Sequence, residues 1–245
     1  LESYMINNAI NYKKIAYDPW LHSYTQVKSI LKIGKKYNIK FISLKKNPID
    51  LIWTKDRIRL SNSKIKIHPL KYSGISSTIK VKKLCLYLKE IGVDAYIINQ
   101  PDALAWLLNI RGMDLKHTPV ILSRAIIFSK GDIFLFIDKA RVDKKIKNYF
   151  SKKLKVFPED RVISEIIKIS KNKSKILINS NSTSYALIEN IINKNINIIE
   201  NNCPIEKMKA IKNKIEINGA RSAHIKDGIA LSKFLYWLYN YETKK

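Results

Sequence analysis

One short loop of the sequence carries residue types suited to binding and catalysis. Residues 110–117 read IRGMDLKH, and Arg111, Asp114 and His117 stand between a predicted helix and a predicted strand. Arginine suits bidentate recognition of anionic groups, and loops of this kind carry function more often than buried elements do. Two interpretations stay open: the three residues form part of a binding site, or Arg111 and Asp114 pair and merely stiffen the loop.

A second candidate lies near the end of the sequence, where His224 stands close to Asp227. Asn213 followed by Glu216 is typical of a helix N-cap, and apolar residues then recur at spacings of three and four from Ile217 to Leu238. His224 falls on this apolar stripe, so we expect a packed, hydrogen-bonded histidine and not a ligand.

Two aromatic positions have similarly plain explanations. Asp18, Pro19 and Trp20 form a predicted turn with an anchoring aromatic ring, for which a role in substrate binding is the less favoured alternative. Trp106 and Leu107 lie in an apolar helical stretch and are predicted core residues.

The net charge of +26 raises the question of nucleic-acid binding. The excess is nearly all lysine, spread along the whole chain together with many isoleucines and asparagines. Only seven arginines occur, although arginine is the residue suited to reading bases and phosphates. We therefore favour a compositional origin of the charge and expect no specific nucleic-acid partner.

The cysteines and the hydropathy of the chain indicate the cell compartment in which we expect it. Cys85 and Cys203 lie far apart without a CxxC pattern, which favours a reduced, cytoplasmic setting without a structural zinc site. No run of about eighteen uncharged apolar residues occurs, and no signal peptide is recognisable at the start, so we expect no membrane association.

Helical and apolar strand-like stretches alternate from residue 73 to residue 200, which predicts an α/β domain with a mixed sheet. Its predicted strands are 93–99, 120–128, 133–138, 155–159, 175–180 and 197–200. Its predicted helices begin at Ser76 or Ser77 and at Pro101, and further helices span 160–171 and 182–194.

The first part of the chain has fewer elements. We predict a strand at 14–17, a helix at 23–37, a strand at 39–45 and a Pro-started helical turn within 47–53, followed by an extended connector over 54–72. Because these elements resemble the second half of an α/β unit, we expect that part of the unit precedes Leu1.

Six blocks of sequence, in order, resemble those of the long, three-domain Xaa-Pro aminopeptidases, which are creatinase-like metallopeptidases. They are YDPWLHS (17–23), NPIDLIW (47–53), HPLKYSG (68–74), DALAWLLNIRGMD (102–114), KHTPVILSRAI (116–126) and PIEKMKAIKNKIEINGARSAHIKDGIAL (204–231).

The resemblance implies three regions. Two belong to creatinase N-terminal-like domains with a mixed-sheet α/β fold, and the third begins a catalytic domain of the pita-bread fold. Residues 1–72 would end the first domain and include a connector, 73–203 would form the second domain, and 204–245 would be the first helices of a truncated catalytic domain. The helix beginning near Asn213 should then leave its apolar stripe exposed in this chain, because its cover lies downstream.

The family's chemistry uses two divalent metals, commonly manganese, held by two Asp, one His and two Glu, which activate a shared water. From residue 204 onward the acids are Glu206, Glu216, Asp227 and Glu242, and His224 is the sole imidazole. None stands in a block that matches a family ligand motif, so we assign no metal ligand and no catalytic residue. By the same resemblance, the loop of Arg111, Asp114 and His117 faces the catalytic cleft.

The sequence therefore suggests the non-catalytic N-terminal portion of a Xaa-Pro aminopeptidase, inactive by itself. It would be either a fragment of an intact enzyme or the product of a broken gene. Its expected partners are the downstream catalytic domain, a peptide substrate and a second copy in a homodimer. The alternatives are a creatinase-like dimerisation or peptide-binding module without catalysis and a basic nucleic-acid-binding protein.

The basic composition leads to a first prediction. Lysines acting as point charges should give weak binding to any nucleic acid, with an affinity that falls steeply between about 50 and 200 mM salt. Fluorescence anisotropy with two labelled duplexes of unrelated sequence measures this, and both should bind alike. Nanomolar, sequence-selective binding near physiological salt would reverse the interpretation of the charge.

Overall fold

The computed structural model describes residues 2–8, 13–55, 57, 63–170, 174–192 and 196–242. Its helices are α1 (Glu2–Asn8), α2 (Tyr24–Tyr37), α3 (Pro48–Ile52), α4 (Leu70–Ser73), α5 (Ser77–Glu90), α6 (Pro101–Leu108), α7 (Lys144–Phe150), α8 (Val162–Ser170), α9 (Tyr185–Ile192), α10 (Pro204–Ala210) and α11 (Lys214–Glu242). Its strands are β1 (Lys14–Tyr17), β2 (Lys40–Ser43), β3 (Lys66–Ile67), β4 (Ala95–Ile98), β5 (Ile110–Arg111), β6 (Arg124–Phe128), β7 (Ile133–Phe136), β8 (Leu154–Phe157), β9 (Lys175–Ile178) and β10 (Asn197–Glu200).

A six-stranded mixed sheet with the order β10-β9-β4-β6-β7-β8 forms the centre of the molecule. The strands β10, β9 and β4 run parallel, β6 is antiparallel to both β4 and β7, and β8 is parallel to β7. The predicted strands 93–99, 120–128 and 133–138 therefore contribute to one sheet, as expected. Their continuous apolar runs reflect burial on both faces of the sheet.

Alternate residues of each central strand point into two separate cores. On β4, Tyr96 and Ile98 join one cluster with side chains from α5, α6, α7 and α10, whereas Ala95 and Ile97 join the other with α8 and α9. The sheet thus has helices on both faces, and the expected α/β class is confirmed.

The first unit of the chain is a two-stranded parallel sheet, β1 with β2, connected by α2. Ser23 caps α2 through a capping box with Gln26, and Val27 and Ile30 pack on Tyr17. This unit joins the larger domain through backbone hydrogen bonds from Tyr24 N to Thr183 O at 2.9 Å and from Tyr185 N to His22 O at 2.8 Å. The strand, helix and helical turn predicted before residue 53 are present.

The connector and several boundaries differ from the prediction. Residues 54–72 are not extended throughout: β3 pairs with β5 in a small antiparallel sheet, and Pro69 precedes α4. The helix α7 was not predicted, although Asp143 accepts a hydrogen bond from Ile146 N at 2.9 Å as its cap. The strand predicted from residue 120 begins only at Arg124. The predicted helix ends at 171 and 193–194, like parts of 54–72, lie outside the described residues.

The long helix α11 begins as predicted and then extends away from the rest of the described chain. Residues 217–239 are exposed without exception; Leu235 is 53% and Trp237 56% accessible, so the predicted exposure of the apolar stripe is confirmed. The prediction for His224 is wrong in one respect: its Nδ1 hydrogen-bonds to Ala220 O at 2.8 Å, but no described residue covers the ring. None of the described helices has both the length and the apolar content needed to cross a bilayer.

The exposed stripe of α11 should drive self-association. Covering apolar surface gains about 25 cal/mol per Å², and contiguous bare patches of several hundred Å² favour association. We expect the purified chain to associate with rising concentration in light scattering, and either deletion of 213–245 or the triple variant L231Q/L235Q/L238Q to shift it toward monomer.

A matched control replaces exposed leucines elsewhere, in the triple variant L21Q/L51Q/L86Q. This control should associate like the unmodified chain. A monomeric unmodified chain, or equal loss of association in both triple variants, would contradict the prediction.

Candidate functional site at the start of the long helix

The structure separates the three residues that the sequence placed in one candidate loop. Arg111 lies in β5, where its Nη1 donates to Ala105 O at 2.8 Å and Ile110 O at 2.9 Å, and its side chain lines a cavity. His117 is exposed and has a left-handed backbone with φ of 64°. Asp114 forms its ion pair with neither of them.

Asp114 does form the expected stiffening ion pair, but with a different arginine. Its carboxylate accepts from the Arg141 guanidinium and from Leu122 N at 2.7 Å, and Arg141 Nε also donates to Ser63 O at 2.9 Å. Both side chains of the pair are almost inaccessible. This arrangement anchors the loop after β5 to the segment after β7, which indicates a structural role for Asp114.

Arg111 instead belongs to a cavity of about 410 Å³ between the α/β domain and the first turns of α11. Cationic and aromatic side chains dominate its wall. The lining residues are His68, Lys71, Tyr72, Ser73, Lys80, Trp106, Arg111, Ile215, Glu216, Asn218 and Gly219.

Lys80 is the most unusual member of the wall, because an ammonium group is almost never fully buried without partners. The residue is 2% exposed on α5. Its Nζ donates to Trp106 O at 3.0 Å and to Asn109 Oδ1 at 2.8 Å, and it lies 4.0 Å from the centroid of the Trp106 ring. Two carbonyl acceptors and one aromatic face thus replace the water that burial removes.

Asn109 continues the hydrogen bonding toward α4. Its backbone adopts the left-handed conformation that ends α6, with φ of 50°. Its Nδ2 donates to Ser73 Oγ at 3.2 Å and to Ile75 O at 2.8 Å. Asn109 therefore links the buried Lys80 ammonium to α4, the helix that precedes α5.

The start of α11 closes this chain of contacts into a ring. Asn213 Nδ2 donates to Ser73 O at 2.9 Å, Asn213 N donates to Glu216 Oε2 at 3.0 Å, and Trp106 Nε1 donates to Glu216 Oε1 at 3.0 Å. We call the six residues Lys80, Asn109, Ser73, Asn213, Glu216 and Trp106 the polar ring. It ties α4, α5 and α6 to the first turn of α11.

Gly74 shows how closely these elements approach. A Cβ atom at this position would lie 2.4 Å from Asn213 Oδ1, and the backbone has φ of +67°. Only glycine meets both requirements without strain. The capping residue of α11 is therefore seated directly against the end of α4.

Burial and nearby positive charges lower the pKa values of several side chains in the cavity wall. Burial lowers the pKa of the Lys80 ammonium to about 8, against the attraction of Glu216 and with added repulsion from Arg111. Burial also lowers the pKa of His68, helped by Arg111 and Lys80, and lowers the pKa of the Arg111 guanidinium. The cavity can thus hold a carboxylate or another small anion beside Arg111.

Comparison with known proteins identifies the family. The Creatinase/Prolidase N-terminal domain matches residues 56–216 of this chain, about two thirds of its length. The chain belongs to the creatinase/prolidase N-terminal domain family. In this family context, the six-stranded sheet, α5 to α10 and the polar ring all lie within the matched residues.

Relatives of this creatinase/prolidase N-terminal domain include probable aminopeptidases. The chain is 31% identical over 243 residues to a probable Xaa-Pro aminopeptidase P of Laccaria bicolor and 28% identical over 234 residues to one of Phaeosphaeria nodorum. These alignments cover 97% and 92% of this chain but 37% and 36% of the relatives. The chain thus spans little more than a third of the length of the curated relatives it matches.

A solved structure matches the fold over nearly the whole chain. X-prolyl aminopeptidase of Caenorhabditis elegans, a cytosolic enzyme with a di-nuclear active site, superimposes with a TM-score of 0.88 at 28% identity. The match covers 98% of this chain and 39% of that enzyme. It therefore includes the two-stranded first unit and α11 as well as the creatinase/prolidase N-terminal domain.

The donors for a di-nuclear metal centre do not come together in the described part of this chain. Among these residues, no three His, Cys, Asp or Glu side chains are grouped so that they could hold a metal ion. Glu216 is engaged by Asn213 and Trp106, and Glu206 accepts from Gln100. Within the described ranges, the side chains therefore provide no donor set for such a centre.

The sequence indicated only part of this site. Arg111 was a candidate, whereas Lys80, His68 and Glu216 were not assigned to a cavity. Lys80 stands four residues before Leu84 and eight before Leu88, on the buried face of α5, and this spacing was the available signal. Trp106, predicted as core, packs only partly on the core and presents its ring to the cavity, whereas Leu107 is fully buried as expected.

The shifted pKa of Lys80 predicts a pH effect on stability. Above about pH 8 the folded chain releases the Lys80 proton, whereas the unfolded chain retains it up to about pH 10.4. The unfolded state then binds more protons, so this residue should increase the free energy of unfolding as pH rises through that window. Urea unfolding at pH 7, 8, 9 and 10 should show this increment in the unmodified chain and its loss in Lys80→Met.

Lys83→Met provides the control, because Lys83 is exposed on the same helix. It should keep the pH dependence of the unmodified chain. Identical pH dependence in Lys80→Met and the unmodified chain would show that the buried ammonium does not titrate in this range.

Proposed function

We propose that this chain is the non-catalytic N-terminal portion of a Xaa-Pro aminopeptidase, a metal-dependent hydrolase that releases an N-terminal residue preceding proline. The agreement with X-prolyl aminopeptidase over nearly the whole chain is the observation that carries the proposal. The absence of a grouped donor set in the described residues supports a role outside the chemical step.

The proposed domains follow the structural elements. Residues 1–72 hold the end of a first creatinase-like domain and a connector, 73–203 form the second domain, and 204–245 begin the catalytic domain. Two contacts besides the polar ring hold the last region in place: Gln100 Nε2 donates to Glu206, and Lys209 pairs with Asp102. In this proposal the second domain fixes the direction in which α11 enters the catalytic domain.

The proposed partners follow from the exposed face of α11. A catalytic domain that carries two divalent metals, manganese by resemblance, would cover the stripe from Ile217 to Leu238 and supply the metal ligands. The proposed substrate is a peptide, and the proposed dimer partner is a second copy of the chain. The proposed location is the cytosol, as for the worm enzyme. Arg111 is kept as a residue facing the substrate cleft, whereas the contacts of Asp114 favour a structural role and His117 gains no support from its exposed position.

A second candidate is a peptide-binding or dimerisation module without catalysis. The observation that favours it is the cavity beside Arg111 and Lys80, whose positive wall suits a carboxylate. This alternative requires no catalytic domain, so activity measurements distinguish the two.

The test compares the chain alone with a chimera. We expect the purified chain to leave an Xaa-Pro peptide uncleaved even with added manganese, because the described residues include no group of three donor side chains that could hold a metal ion. Replacing the matched portion of the worm enzyme by residues 1–245 should instead give a manganese-dependent aminopeptidase, with the unaltered worm enzyme as positive control.

Two results would contradict the proposal. Chelator-sensitive hydrolysis by the chain alone would show that it carries its own catalytic centre. A folded, metal-loaded chimera without activity would show that the chain cannot serve as the N-terminal portion, and the binding-module alternative would then be preferred.

A further inference from the structure

A second cavity, of about 290 Å³, lies where the first unit meets the α/β domain. We call it the junction cavity. Its lining includes Trp20 from the turn after β1, Asn99 directly after β4, Ser123 and Arg124 at the start of β6, and Ser184 just before α9. Because β6 runs antiparallel to β4, these residues meet at the carboxyl edge of the parallel strands, the edge where ligands bind in open α/β sheets.

Buried polar atoms without partners are concentrated among the residues that line this cavity. In the described part of the chain, four buried side-chain atoms lack a hydrogen-bond partner, and three belong to residues of the cavity wall: Asn99 Oδ1, Ser123 Oγ and Ser184 Oγ. Ser123 and Ser184 are 7% and 9% exposed. Since buried polar groups in folded proteins are nearly always paired, three such atoms on residues of one cavity wall mark this wall as a candidate binding site.

The amide of Asn99 has a defined orientation. Its Nδ2 donates to Thr183 Oγ1 at 3.1 Å, which leaves Oδ1 as the free acceptor. An N–H or O–H group brought beside this oxygen would satisfy it. The two serine hydroxyls can donate or accept, and so they adapt to either kind of atom.

Arg124 adds a positive charge to the same wall. Its guanidinium lies 5.2 Å from the centroid of the Trp20 ring, and burial lowers the pKa of the guanidinium, with Glu159 opposing that effect. No carboxylate among the described residues forms a salt bridge with it, although Glu159 also lines the cavity. An arginine that lies beside an aromatic ring and forms none of these salt bridges can offer its N–H groups for bidentate binding of a carboxylate.

These features together select a ligand class. Arg124 suits a carboxylate, Asn99 Oδ1 requires a donor, and Glu159 attracts a positive group. The volume is at the lower end of that found for small-molecule sites. We propose that the junction cavity binds a small α-amino acid, with its carboxylate on Arg124 and its ammonium toward Asn99 and Glu159.

Isothermal titration calorimetry of the purified chain at constant ionic strength tests the proposal. We expect saturable binding of L-alanine. Propionate, which lacks the ammonium, and ethylamine, which lacks the carboxylate, should bind much more weakly. Inorganic phosphate should also bind much more weakly. Because the assay measures binding without hydrolysis, its result is independent of the proposed peptidase role.

Variants assign the binding to this cavity. Arg124→Gln should weaken L-alanine binding by roughly tenfold or more, because a charge-assisted hydrogen bond is lost. Ser184→Ala removes one unpaired buried hydroxyl, so it should fold normally and still reduce the affinity measurably. Arg161→Gln is the matched control, since Arg161 is exposed and lies outside the cavity; it should bind L-alanine like the unmodified chain.

Three outcomes would overturn the proposal. They are no saturable binding of L-alanine by the unmodified chain, unchanged affinity in both Arg124→Gln and Ser184→Ala, and equal affinity for phosphate and L-alanine. The first would assign the cavity to water alone, and the last would reduce it to a simple anion site.

Discussion

The carboxylate of Glu216 is the contact on which the arrangement of this chain depends. It completes the cap of α11 through Asn213 N and accepts the indole N–H of Trp106, whose ring and carbonyl in turn hold the buried ammonium of Lys80. The polar ring is costly to bury, and it is retained only because each member satisfies the next. As a result, α11, which makes little apolar contact of its own, begins at a fixed position on the α/β domain.

The α/β domain could be predicted from the sequence because its signals are local. Apolar runs such as 95–98 and 124–128 are long enough for strands, and Ser76 and Pro101 mark helix starts by capping chemistry. The cap of α11 was predictable for the same reason, since Asn213 and Glu216 stand three residues apart. The exposure of its stripe followed only from the resemblance, because no local pattern says what covers a helix.

The remaining features depend on contacts between distant parts of the sequence. Asp114 was paired with Arg111 by proximity, yet the fold brings it to Arg141, whose backbone also pairs with the connector at Ile65. The burial of Lys80 contradicts the usual exposure of lysine, and its partners come from α6. The junction cavity likewise combines Trp20 of the first unit with residues at the carboxyl edge of the parallel strands, a juxtaposition that only the topology creates.

Hydrogen exchange in α11 tests the central claim most directly, namely that the polar ring holds this helix. Trp106→Phe changes α6 alone and removes one donor to Glu216, while Trp53→Phe makes the same change at an exposed position outside the ring. The account predicts that amides in the first turns of α11 exchange roughly tenfold faster in Trp106→Phe, as expected for a lost hydrogen bond to a charged group, and unchanged in Trp53→Phe. Equal exchange in all three proteins would contradict it and show that α11 forms without the ring.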